Sequence, residues 1–246
     1  MKQNNYILNF IKVTFISLLL MATSPVRAEI KVVTTIKPLH SLIANVMDGV
    51  GEPSLIIEGS TSPHSFTLKP SHAKLLEEAD LIFWVGEGIE TFMERPLESI
   101  VKNAEVVEFM EIDSIQKLKF REESIFDDHD DHDDHDDHDE EGHDDHDEEG
   151  HDDHDEEGHD DHDDHNHGEF DAHIWLDPNN AKEMVHEIAH ELGDLDPANK
   201  DKYEANATVT ILALDQLIND ISKDINKDAK FVVFHDAYQY FEERFG

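Results

Sequence analysis

The chain has 246 residues with 19 Lys+Arg against 59 Asp+Glu, a net charge of −40. Of those acids, 26 fall between 127 and 169, where there is no Lys or Arg, so the rest of the chain carries −14, an ordinary mildly acidic balance. Without clustered Lys or Arg there is nothing to meet nucleic-acid phosphates. The absence of Cys excludes disulfides, Cys-ligated zinc, a cysteine nucleophile and a lipidated N-terminal cysteine.

Residues 1–28 read as a cleavable signal peptide. Lys2 lies in a polar start, an apolar stretch runs from Val13 to Ala22, and Val26 and Ala28 stand at −3 and −1 of a cut before Glu29. That run is about half of the ~20 apolar residues a membrane span needs. The mature chain is therefore expected to be exported to a periplasm without inserting into the membrane.

From Ile30 short apolar runs alternate with helical patterns. Strands are expected at 30–35, 54–57, 81–85 and near Val106-Val107, with helices from Pro38 to Gly49, from Pro70 through Ala79 and around 89–100. Strand and helix alternating with short connections predict an α/β lobe with a mostly parallel sheet over 29–126. Ligands in such sheets sit beyond the carboxyl ends of strands, so the loops after Ile57 and Val85 are the places to search.

Residues 127–169 are low in complexity, with an eight-residue unit at 143–150 repeated unchanged at 151–158. The unit has no apolar residue and cannot bury a core, so a solvated, disordered loop is expected. Order resumes at Phe170. The remainder of the first lobe is assigned to 170–195, including a helix through Met184, Ile188 and Leu192 that Gly193 is placed to cap. A linking helix follows over 196–228, its apolar seam being Tyr203, Ala207, Leu214, Leu217, Ile221 and Ile225. Phe231 to Phe234 read as a strand opening a second lobe at 229–246.

The histidines fall into three groups. His64 follows the second strand, His173 follows the acidic tract, and His235 follows the apolar run 231–234. Three neutral imidazoles from separate elements suit Zn²⁺. Separated histidines carry no fixed ligand spacing, however, and satisfied or surface histidines remain the alternative. The second group is His186-Glu187-Ile188-Ala189-His190, an H-E-x-x-H pattern with Gly193 and Asp196 downstream. On a helix it would set two imidazoles on one face with Glu187 as base, the chemistry of a secreted zinc metalloprotease. Against that reading, Met184 is the last methionine, so no methionine turn follows. The third group is His129, His132, His135, His138, His143, His146, His151, His154, His159, His162, His165 and His167. All but His167 adjoin a carboxylate, and many weak, pH-dependent auxiliary metal sites are expected there. His40 and His72, near helix starts, suit surface or capping roles, and nothing in the sequence selects Glu87 or Glu90 as a ligand.

Five ordered phrases carry a resemblance. They are Thr61-Ser-Pro-His-Ser-Phe66, Leu68-Lys-Pro-Ser71, Ala79-Asp-Leu-Ile-Phe-Trp-Val-Gly86, His173-Ile-Trp-Leu-Asp-Pro178 and Phe234-His-Asp-Ala-Tyr-Gln-Tyr-Phe241. Over Ile30 to Gly246, apart from the acidic insert, the chain resembles the periplasmic metal-binding proteins of ABC transporters, in their zinc-uptake branch. The resemblance implies two α/β lobes, each with a mostly parallel sheet, joined by a long rigid helix. It also implies that most of the second lobe lies beyond residue 246. By the same resemblance, His64 and His173 of the first lobe and His235 of the second are the primary Zn²⁺ ligands. The third histidine favours zinc, since manganese-binding relatives carry a carboxylate there, and a His- and acid-rich insert is characteristic of the zinc branch. The implied role is a non-enzymatic, monomeric solute-binding protein that delivers Zn²⁺ to a membrane ABC permease.

Overall fold

The computed structural model describes residues 30–121 and 168–246. The signal-peptide reading and the twelve tract histidines lie outside these residues. Among the described residues no helix is long and apolar enough to cross a membrane.

Val32–Thr34 (β1) is wholly buried, and the chain builds outward from it. β1 pairs in parallel with Ser54–Leu55 (β2) on one side and Leu81–Trp84 (β3) on the other, and β3 pairs with Glu105–Glu108 (β4), giving the order β2-β1-β3-β4. All four residues of β3 are buried, as a strand covered on both faces requires. Edge strand β4 is covered less, with Val107 buried and Glu105 and Val106 exposed. Parallel pairing needs crossovers, supplied in turn by Lys37–Val46 (α1), Pro70–Glu78 (α2) and Glu94–Ser99 (α3). α1 buries Leu39, Ile43 and Val46, one stripe at helical spacing. Its His40 Nε2 lies 3.1 Å from the carbonyl of Pro53, and at the start of α2 His72 Nδ1 accepts the N–H of Lys69 at 3.2 Å.

Pro178–Leu195 (α4) begins where Asp177 accepts the N–H of Asn179. It buries Ala181, Met184, Val185, Ile188, Ala189 and Leu192. Gly193 does not cap this helix: it lies inside it, and a Cβ there would stand 3.0 Å from Lys200 Cγ. Close passage of the next helix, rather than a left-handed backbone, occupies that position.

Lys200–Asp224 (α5) has 25 residues, shorter than the span expected from its sequence. Tyr203, Ala207 and Thr210 are buried, and Asn206 donates to the carbonyls of Val46 and Asp48. The expected seam is not buried throughout: Leu217 is exposed, and Val209 and Leu212 beside the seam are exposed too. The first four turns pack on the lobe, Ile211 and Leu214 included, and the rest runs past it.

The expected strand at 231–234 is absent. Val232 and Phe234 are each 99% exposed, and no strand of the described residues lies beside them. A strand exists only where neighbouring backbone completes its hydrogen bonds, so apolar β-branched composition alone does not make one. The chain then returns to the first lobe as Gln239–Phe245 (α6). Tyr240, 1% exposed, accepts the N–H of Leu118 at 2.9 Å and donates to the carbonyl of Asp171 at 2.6 Å. Arg244 grips both oxygens of Asp177, at 2.8 and 2.6 Å.

Candidate metal centre

The loop after β2 presents His64. Pro63 opens a single 3-10 turn, Pro63–Ser65, and Phe66 anchors its exit against Phe92 and His72, with ring centroids 5.0 and 5.4 Å away. His64 is exposed on this turn.

His173 is held differently. It is 8% exposed, and both its backbone N–H and its Nδ1 meet Asp171 Oδ1, at 2.9 and 2.7 Å. A carboxylate oxygen accepts, so Nδ1 is the nitrogen that donates to Asp171 and Nε2 is the one that faces His235. Asp171 is itself buried, its N–H given to Leu118 and its carbonyl taken by Tyr240.

His235 precedes α6. Its Nε2 lies 3.3 Å from Nε2 of His173. Burial, and then the neighbouring His173, hold its pKa below the ordinary histidine value, against the opposing pull of Asp171 and Asp236. The shift favours the neutral imidazole, the form that binds metal.

The three rings form a triangle with centroid separations of 5.5, 5.7 and 5.2 Å, and one nitrogen from each lies within 4.8 Å of the others. Two nitrogens bound at ~2.0–2.1 Å to a tetrahedral zinc stand about 3.3 Å apart. The 3.3 Å between His173 and His235 therefore already matches one edge of such a shell. Trp175 walls the site, 5.3 Å from His173.

Glu90 does not join this group. It is fully buried at the carboxyl ends of β1 and β3, accepting from Thr35 Oγ1 at 2.5 Å, Gly86 N–H at 3.1 Å and Val85 N–H at 3.3 Å. Burial pushes its pKa up to about 7 although all three donors pull the other way. It is a tie between the ends of β1 and β3. Sequence reasoning missed this role and also that of Asp171. The signal for Asp171 was present as an acid two residues before a histidine, a spacing that permits a side chain to bond back to the backbone.

The H-E-x-x-H pattern does not assemble a protease zinc pair. His186 and His190 both line the groove between α4 and α5, but a ligating atom of His190 groups with Glu187 and Glu191 and not with His186.

The family model for ZnuA, zinc-uptake complex component A periplasmic, matches residues 32–246, and the chain belongs to that family. The high-affinity zinc uptake system protein ZnuA of Brucella abortus (strain 2308) is 48% identical over 217 residues, 87% of this chain and 64% of the relative. The chain thus spans just under two thirds of that protein. The protein of the same description from Paracoccus denitrificans (strain Pd 1222) is 40% identical over 229 residues, 92% of this chain and 67% of the relative. Among solved structures, the Zn(II)-bound ZnuA-like domain of Streptococcus pneumoniae AdcA superposes with a TM-score of 0.60 at 20% identity, over 89% of this chain and 64% of that one, a likeness of fold.

Proposed function

We propose that this chain captures Zn²⁺ in a periplasm, between His64, His173 and His235, and hands it to a membrane ABC permease for high-affinity uptake. The observation that carries the reading is the approach of three imidazoles from loops far apart in sequence, at separations that suit one tetrahedral ion. Zinc is cargo here, and no bond is made or broken. His173 is the fixed ligand, aimed by Asp171, while His64 and His235 come to it from exposed segments. A rigid donor flanked by two on exposed segments favours both capture and release.

The same proposal assigns 1–28 as the export signal, 29–126 with 170–195 as the first lobe, 196–228 as the link and 229–246 as the opening of the second, with α6 resting on the first. The tract at 127–169 is a collector whose twelve histidines hold additional zinc weakly. The names of the relatives speak of zinc uptake and support this reading; none speaks of peptide cleavage.

X-ray absorption on protein loaded with one equivalent of zinc tests the centre. Three imidazole nitrogens at ~2.0–2.1 Å are expected. A shell dominated by carboxylate oxygen would move the tight site elsewhere, to the tract above all.

A further inference from the structure

The donors of the cleft are fixed unequally. Asp171 aims His173 directly, whereas His64 rides on an exposed loop. Residues 58–62 of that loop are exposed, as are His64 and Ser65, and the turn that carries His64 is three residues long. Between Ile57 and Leu68 the chain has one large apolar side chain, Phe66, and it packs against the core of the lobe. At the other end of the loop, Lys37 donates to the carbonyl of Gly59.

Both rings that Phe66 meets are themselves held. Phe92, 5.0 Å away at an interplanar angle of 62°, sits on the 3-10 turn Thr91–Met93. Buried residues pin that turn from both sides. Glu90 precedes it, bonded to Thr35, Val85 and Gly86, and Met93 is fully buried at its end. His72 stacks on Phe66 at 5.4 Å and 28°. Its Nδ1 accepts the N–H of Lys69 at the start of α2, so the ring caps a helix and stacks at once. Offset stacking and edge contact are the arrangements that aromatic rings prefer.

We propose that Phe66, clasped by Phe92 and His72, is a positioning residue of the zinc site, holding His64 where it can share one ion with His173 and His235. The inference rests on the zinc-capture reading above. Two residues of chain span at most about 7 Å, so a fixed Phe66 ring limits how far His64 can travel. In the clasped state the His64 ring already stands 5.5 and 5.7 Å from those of His173 and His235. The clasp acts on the metal through His64 alone. Ordering a loop before its ligand arrives lowers the cost of binding. Loss of the clasp therefore weakens the site, and it does so mainly by speeding the departure of zinc.

The test measures zinc affinity by chelator competition and zinc departure into excess chelator, on the full chain loaded with one equivalent. Phe92→Ala should weaken the tight equivalent about three- to tenfold, the range one aromatic pair allows, with the loss in the dissociation rate. Phe66→Ala, which removes both ring contacts, should weaken it further. Phe92→Tyr keeps the ring and should stay within about twofold of the wild type. Val107→Ala truncates the core on β4, at the sheet edge opposite β2. It should lower the thermal midpoint yet leave both zinc readings within about twofold, which separates lost positioning from general destabilisation. Unchanged zinc readings in Phe92→Ala, or an equal loss in Val107→Ala, would overturn the clasp alone if His64→Ala still abolishes the tight equivalent. If His64→Ala keeps that equivalent, the zinc-capture reading falls and the clasp falls with it.

Discussion

Asp171 shows how much one carboxylate decides. It aims His173 through Nδ1 and anchors the local turn through the backbone N–H of the same residue. Removing such an outer-shell partner typically costs about 10–100-fold in metal affinity. Asp171→Ala should therefore weaken zinc binding in that range while the helices remain, as chelator competition alongside far-UV circular dichroism will show. An unchanged affinity would mean that His173 needs no such orientation. Glu90 makes a prediction about pH. Its folded pKa of about 7 lies above an ordinary 4.5, so its contribution to stability is whole below 4.5 and is lost as pH rises through 7. The shift corresponds to about 3 kcal/mol. In metal-free protein, Glu90→Gln should flatten the fall in thermal midpoint between pH 4.5 and 7.5, without abolishing it, because burial also pushes Glu108 up to about 7. Parallel pH profiles for the two proteins would contradict this.

At the scale of elements, the buried strands and the crossover helices were legible because their signals are local. Continuous apolar runs mark β1 and β3, and prolines open α1, α2 and α4. The run at 231–234 carries the same local signal, yet it forms no strand, because a strand depends on backbone that lies elsewhere. The return of α6 onto the first lobe was illegible for a related reason. Its fastenings, Tyr240 to Leu118 and Asp171 and Arg244 to Asp177, join residues 67 to 122 positions apart. Arg244→Ala leaves the buried Asp177 carboxylate without its charged donors, at a cost of about 1–3 kcal/mol. It should also weaken zinc binding, since α6 seats His235. Urea melts with and without zinc will separate the two effects. Gly86 marks a third kind of position. Its φ is +148°, and a Cβ would lie 2.7 Å from Glu108 Oε1 and 3.0 Å from Met110 Cγ. Gly86→Ala should destabilise by about 1–3 kcal/mol, measurable in the same melts.

For the whole molecule, the acidic tract is an insertion into a closed lobe. Lys119 pairs with Phe170 in an antiparallel bridge and with Glu169 in an ion pair, so the chain on either side of the tract is already joined. Replacing 122–167 with a short linker should hold the thermal midpoint within about 2 °C and keep one tight zinc equivalent while the weaker ones vanish. The composition of the tract was plain in the sequence, and so were three histidines in distinctive settings. What the sequence alone left open was whether those three meet, since their partners in space follow from the packing of α6 and from Asp171. The most direct measurement is therefore chelator-competition titration of the full chain and of His64→Ala, His173→Ala and His235→Ala, with His186→Ala as control. The three cleft changes should each abolish or greatly weaken the single tight equivalent, and the control should keep it. A tight equivalent that survives all three would place the zinc elsewhere and contradict the assignment.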